Sequence, residues 1–171
     1  MINVLNKSLT SKFFINFRLL ILKTKIKTDN MKKGEITFTM IKPTAVAGNH
    51  AGEILKLIQL ANYKIIALKM TKMSFEQAGQ FYKEHQNRPF YESLCGYMSS
   101  GPIIAVVLQK NNAVSDYREF IGKTNPEEAA EGSIRKRFGV SLQQNAVHGS
   151  DGDQRAIEES RFFFSDLEFF K

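Results

Sequence analysis

The run Asn145-Ala146-Val147-His148-Gly149-Ser150-Asp151 gathers an imidazole, hydrogen-bonding side chains and a glycine. Neutral imidazole is available as a nucleophile near physiological pH, so His148 can take and return a phosphoryl group. The same residues also read as a turn before an N-capped helix, with Asp151 or Asp153 as the cap and His148 merely exposed. In the helical pattern that follows, Ala156, Ile157, Ser160, Phe163 and Phe164 form the apolar stripe. Glu158 points away from it, whereas Glu159 flanks it at helical spacing from Ala156 and Phe163. A carboxylate placed there needs a partner, and an imidazole just before the helix is a reasonable one. A metal role for His148 is not supported. The other histidines, His50 and His85, and the single Cys95 are not at ligand spacing. His50 and His85 read as surface residues and Cys95 as a small core filler.

Several cations and rings could serve such a nucleophile. Lys42 closes a strand pattern on the side of its apolar row, where it either covers a core edge or aims a charge at a phosphate. Arg118 sits at the edge of a helical stripe, within reach of a cleft. Thr124 and Arg135, in an irregular stretch from Lys123 to Gln144, supply a hydroxyl and a guanidinium suited to phosphate oxygens. Lys136 and Arg137 read as a solvated face. Phe90 and Tyr91 are either core aromatics or rings on which a base stacks. Gly96 to Gly101 has the glycine spacing of a Walker loop, but Pro102 and Ile103 stand where Lys and Ser/Thr belong. Any nucleotide site must therefore be built from side chains.

The elements that position these groups are legible from periodicity. Ile36, Phe38 and Met40 alternate with threonines, which predicts a half-buried strand stopped by Pro43. A helix follows over Ala51 to Ala61, then a strand over Tyr63 to Lys72. A capping box at Ser74 and Gln77 opens a helix with Phe75, Ala78, Phe81 and Tyr82 inward. A second helix is expected from Arg88 to Tyr97, with Pro89 in its first turn. Ile103 to Leu108 is a continuous apolar run, as in a central strand. Val114 to Ile121 forms a helix ending at Gly122. A turn of helix near Ser133 to Phe138, a short strand from Asn145 to His148 and the final helix complete the order. The expected fold is α+β: a ferredoxin-like split βαβ with a four-stranded antiparallel sheet and helices packed on it.

Composition bounds the class. The chain has 171 residues, 43% hydrophobic and 24% charged, which suits one globular domain. The net charge of +7 is uneven: residues 1–30 hold six basic residues and one acid, leaving +2 for the rest. That balance argues against a specific nucleic-acid partner, and no segment of the domain reads as a membrane anchor. A lone cysteine fits a reducing compartment, and the cytoplasm is expected. Residues 1–33 read as a basic extension, unstructured or preceding the true start at Met31; residues 34–171 form the domain.

Six motifs in order carry a resemblance. They are Ile41-Lys42-Pro43, Arg88-Pro89-Phe90, Ser100-Gly101-Pro102, Gly122-Lys123-Thr124-Asn125-Pro126, Gly132-Ser133-Ile134-Arg135 and the run from Asn145 to Asp151. Together they resemble the nucleoside diphosphate kinases over about residues 34–171, with wording most like bacterial members. The resemblance implies transfer of the γ-phosphate of a nucleoside triphosphate to a nucleoside diphosphate, by a ping-pong route through a phosphohistidine. His148 then matches the phosphorylated residue, and Glu159, with Ser150 beside it, the acid that orients its ring. Lys42, Tyr82, Arg118, Thr124, Arg135 and Asn145 match the groups around phosphates and ribose. Phe90 matches the base-stacking ring, with Leu94 and Leu142 near it. The family also implies Mg²⁺ bound mainly through the nucleotide, with no protein metal site, and a homo-oligomer, tetramer or hexamer. One departure stands out: Thr44-Ala45 follows Pro43 where the family usually has Asp then Gly or Ala.

Overall fold

The computed structural model describes residues 33–170. The extension expected over residues 1–33 lies outside the described residues, apart from Lys33.

Strand β1 (Ile36–Ile41) is central, and its alternation misleads: all six residues are buried, not half of them. The reason is position. With β2 (Lys64–Thr71), β3 (Ile103–Gln109) and β4 (Val147–Gly149), the sheet order is β2-β3-β1-β4, every pairing antiparallel, so β1 has a neighbour on each side and helices over both faces. Its buried threonine at position 39 is satisfied, because the Tyr117 hydroxyl donates to Thr39 Oγ1 at 2.7 Å and Thr39 Oγ1 in turn donates to the His148 carbonyl at 2.7 Å. Pro43 does more than stop the ladder. It opens a short helix, α1 (Pro43–Ala47), absent from the sequence expectation; its fixed φ suits the first helical turn.

Helix α2 (Ala51–Leu60) buries Ile54 and Ile58, and β2 (Lys64–Thr71) forms one edge of the sheet. Helix α3 (Phe75–Phe81) has the expected capping box, but Phe75 is 42% exposed and leaves the inward stripe to Ala78, Phe81 and, just past the helix end, Tyr82. A 3₁₀ turn (Lys83–His85) follows. The next helix, α4 (Tyr91–Ser99), starts later than expected, so Pro89 belongs to the preceding turn. Strand β3 (Ile103–Gln109) is the buried central partner of β1 and β2. Helix α5 (Ala113–Ile121) ends at Gly122 with φ 87°, a conformation glycine adopts at little cost.

Helix α6 (Ile134–Phe138) is capped by the Ser133 hydroxyl. Strand β4 is Val147–Gly149, displaced towards the carboxyl end of the expected span. Helix α7 (Asp153–Phe163) has Gly152 at its N-cap and no side-chain cap, so neither aspartate serves there. Of its expected stripe, Ala156 and Ser160 are buried, Ile157 and Phe163 are half-buried, and Phe164 is buried just past the helix end. The main core lies on one face of the sheet, where Ile41, Ile54, Ile58, Val106, Tyr117 and Val147 meet. Among the described residues, no helix is long and apolar enough to cross a membrane.

Candidate functional site

His148 is set by its strand. Register with β1 pairs it with Met40, and alternation sends Val147 into the main core while the His148 ring turns to the opposite face. There Phe38, Phe81 and Tyr82 surround the ring at centroid distances of 6.0, 5.3 and 6.1 Å. The approach to the strand is strained: Ala146 has φ 67°, and the Val147 amide donates to the Asn145 carbonyl at 2.8 Å, closing a γ-turn of the less stable hand. Strain of this kind persists only where the surroundings over-determine it.

The imidazole is oriented from behind. Its Nε2 lies 3.0 Å from Oε2 of Glu159, which α7 holds at 3% side-chain exposure. The buried Ser150 hydroxyl donates to that same oxygen at 2.5 Å and accepts from the Phe38 amide at 3.2 Å. Burial alone pushes the Glu159 carboxyl up. His148, Ser150 and the Arg155 guanidinium outweigh it, so the net shift is downward and the group stays ionised. An ionised acceptor at Nε2 fixes the proton there in the neutral ring and leaves the lone pair on Nδ1. The ring keeps 18% of its side-chain surface exposed and lines a cleft of about 390 Å³.

Of the residues singled out from the sequence, this cleft brings together Lys42, Tyr82, Phe90, Leu94, Arg118, Thr124, Arg135, Leu142, Asn145, His148 and Glu159. Ser150 does not line it, and its hydroxyl touches the lining residue Glu159 from behind. Lys42 is 6% exposed; its ammonium donates to Asn145 Oδ1 at 2.7 Å and to the Gln143 carbonyl at 3.1 Å. Asn145 in turn donates to the Thr124 carbonyl at 3.0 Å. Burial, then the charge of Arg135, lowers the Lys42 pKa from its ordinary 10.5 to about 7. Arg135 donates to the carbonyls of Gly122 (3.0 Å) and Val147 (3.2 Å), while its Nε is enclosed without a partner. Burial, then Arg118, lowers its pKa to about 10. The Tyr82 hydroxyl is likewise enclosed and unpartnered, and burial holds it protonated. Phe90 and Leu142 are exposed at the rim.

Sequence reasoning missed Glu84, His85, Gln143, Gly149 and Asp151 in the lining. His85 is therefore not a plain surface residue: it packs near Tyr82 and Phe90 at the cleft wall. Its helical spacing from Tyr82 was the available signal.

Thr44 has a structural explanation. Its hydroxyl lies 3.0 Å from the Tyr97 hydroxyl and 3.3 Å from Gln144 Oε1, tying the residues after Lys42 to α4 and to the segment before Asn145. Thr44→Val should cost about 1 kcal/mol by stranding these partners. Denaturant unfolding of Thr44→Val, Tyr97→Phe and the double variant checks it: the two losses should overlap, not add.

The family model for nucleoside diphosphate kinase matches residues 35–169. The chain is 49% identical to the nucleoside diphosphate kinase of Flavobacterium psychrophilum and 51% identical to that of Persephonella marina. Each alignment runs over 134 residues, 78% of this chain and 96% of the relative. Among solved structures, the Aquifex aeolicus nucleoside diphosphate kinase superposes with a TM-score of 0.78 at 42% identity, covering 79% of this chain and 98% of that one. The halophilic nucleoside diphosphate kinase of Halobacterium salinarum, solved in complex with CDP, gives a TM-score of 0.76 at 32% identity, over 81% and 92% of the two chains.

Proposed function

The chain belongs to the nucleoside diphosphate kinase family, and from that premise we infer that His148 Nδ1 carries the phosphoryl group between donor and acceptor nucleotides. The observation that carries this reading is the Glu159 bond to Nε2 at 3.0 Å, in a cleft that also collects Lys42, Arg118 and Arg135. The Nδ1 lone pair attacks the γ-phosphorus of a nucleoside triphosphate. The bond from that phosphorus to the bridging oxygen breaks, and its electrons leave with the nucleoside diphosphate. The Nε2 proton stays in its bond to Glu159. The reverse sequence, with the terminal oxygen of a second diphosphate attacking, regenerates the imidazole. One site serves both halves, because leaving product and incoming acceptor share the diphosphate group.

Phosphoryl transfer needs positioning and charge neutralisation more than covalent help. Lys42, Arg118 and Arg135 supply the charge. The unpartnered Tyr82 hydroxyl and Arg135 Nε are buried donors of the kind that are ordinarily satisfied, and phosphate or ribose oxygens suit them. Among the described residues, no group of three or more His, Cys, Asp or Glu could hold a metal by itself. The metal we infer is Mg²⁺ carried by the nucleotide, an ion that keeps its waters and takes one or two carboxylates. Asp151 and Glu84 are the exposed carboxylates of the cleft. The ion would neutralise charge on the β- and γ-phosphates.

Phe90 offers its exposed ring to any base. Phe90→Ala should raise KM about tenfold for purine and pyrimidine diphosphates alike, from the loss of roughly 1–3 kcal/mol of stacking. Steady-state assays with ADP, GDP and CDP as acceptors check it, and a loss confined to one base would contradict it. We also infer a homo-oligomer, tetramer or hexamer. Edge strand β2 supports this, since it exposes Leu68 and Met70; sedimentation measures it. The single cysteine, Cys95, is a buried free thiol, which fits the cytoplasm.

The test is incubation with γ-labelled ATP. The protein should gain acid-labile, alkali-stable label, and added GDP should remove it as GTP. Label that is acid-stable, or that GDP cannot chase, would overturn the reading.

A further inference from the structure

Arg155 lies outside the cleft lining, in the first turn of α7, yet it holds the most connected charge cluster near it. Its Nη2 is 2.8 Å from Glu84 Oε1 and 3.3 Å from Glu159 Oε1, and its Nη1 is 3.7 Å from Glu158 Oε2. The two oxygens of Glu159 are thus divided: Oε2 takes His148 and Ser150, and Oε1 takes Arg155. A carboxylate gripped at both oxygens cannot turn about its own axis without breaking one grip. The same Nη2 also holds Glu84, in the 3₁₀ turn that contains His85 and leads to the wall carrying Phe90.

We propose that Arg155 is a positioning residue for the phosphoryl transfer, fixing the plane of Glu159, and through it the His148 ring, relative to the wall where the base binds. The proposal rests on the reading of His148 and Glu159 given above. An exposed ion pair would contribute little, because water and salt screen it. Here the side chains are 23% exposed for Arg155 and 3% for Glu159, so the contact is largely shielded. The guanidinium sets Nη2 on Glu84 and Glu159 and Nη1 towards Glu158, contacts spread over a rigid planar fork that an ammonium's single nitrogen on a flexible stem does not reproduce.

The experiment is single-turnover phosphorylation of the full-length protein by ATP, read beside ADP affinity. Arg155→Met should slow phosphorylation about 10- to 100-fold, the scale of a misaligned reacting group, with ADP binding little changed. Arg155→Lys should recover part of the rate. In a Glu159→Gln background, Arg155→Met should add little further loss, because the route through Glu159 is already cut. Full rate in Arg155→Met, losses that multiply with those of Glu159→Gln, or a parallel fall in ADP affinity would each overturn the proposal. If the methionine variant does not fold, Arg155→Gln and Arg155→Lys carry the same comparison. If Glu159→Gln alone leaves phosphorylation untouched, the fault lies with the reading of the site and not with Arg155.

Discussion

His148→Ala is expected to lower nucleotide exchange by about 10⁴-fold or more, because removing a nucleophile ends a covalent route and leaves only what binding can do. The other imidazole lining the cleft, His85, stands at the wall beside Phe90, the ring proposed to stack on the base, and not behind the transferred phosphate. Lys42 is hydrogen-bonded and buried, Tyr82 is held protonated, and Cys95 is outside the lining. Binding should survive, since the phosphate-facing cations and the Phe90 ring are untouched. The check is coupled turnover together with ADP affinity by calorimetry. Turnover within about tenfold of the parent would mean that some other group carries the phosphoryl.

Lys42→Met is expected to have the next largest effect, a fall of about 10²- to 10³-fold in turnover from losing one preorganised charge at the developing anion. It should also leave a signature that a structural lysine would not. Burial holds Lys42 at about 7 in the free protein. A bound triphosphate restores the cation's preference for its proton, so nucleotide binding above pH 7 should take a proton up, and affinity should weaken as pH rises. Calorimetry in buffers of different ionisation enthalpy counts that proton, and in Lys42→Met it should be absent. The stability sign follows from the same linkage. Between about pH 7 and 10.5 the unfolded chain holds this proton and the folded chain does not. The folded state therefore gains stability as pH rises through that window. This share of the rise should vanish in Lys42→Met, as read by denaturant unfolding across the range.

The balance at Lys42 illustrates what the sequence could and could not convey. Its place at the end of β1, on the side of the apolar row, followed from alternation and a proline. Its depressed proton affinity did not, because that depends first on burial beneath the segment before Asn145 and then on Arg135, brought close by α6. The same division runs through the fold. The run Ile103 to Leu108 announced a central strand by being apolar throughout, and that is what β3 is. β1 hid its centrality because threonines at positions 37 and 39 look solvent-facing. The Tyr117 hydroxyl, far along the chain, makes position 39 acceptable inside.

At the site, local motifs identified His148 and Glu159 because strand, turn and helix lie within a dozen residues of one another. Arg155 lies in that same stretch and was still missed. Its partner Glu84 is 71 residues away, and the spacing of arginine to Glu159 resembles any surface pair on a helix. The short helix α1 escaped for a different reason. A proline after a strand reads as a stop, and only the chain's return over Lys42, with the Lys42 amide on the Ala146 carbonyl at 2.9 Å, shows that it also starts a turn. The aspartate caps of α7 failed because Asp151 and Asp153 flank Gly152, and the extended glycine took the cap position between them.

Phosphorus–proton correlation NMR on the freshly phosphorylated protein locates the transferred group atom by atom. Glu159 on Nε2 requires one phosphoryl signal, bonded to Nδ1 of the His148 ring. A phosphoryl on Nε2, or on any other residue, would contradict the mechanism at its root.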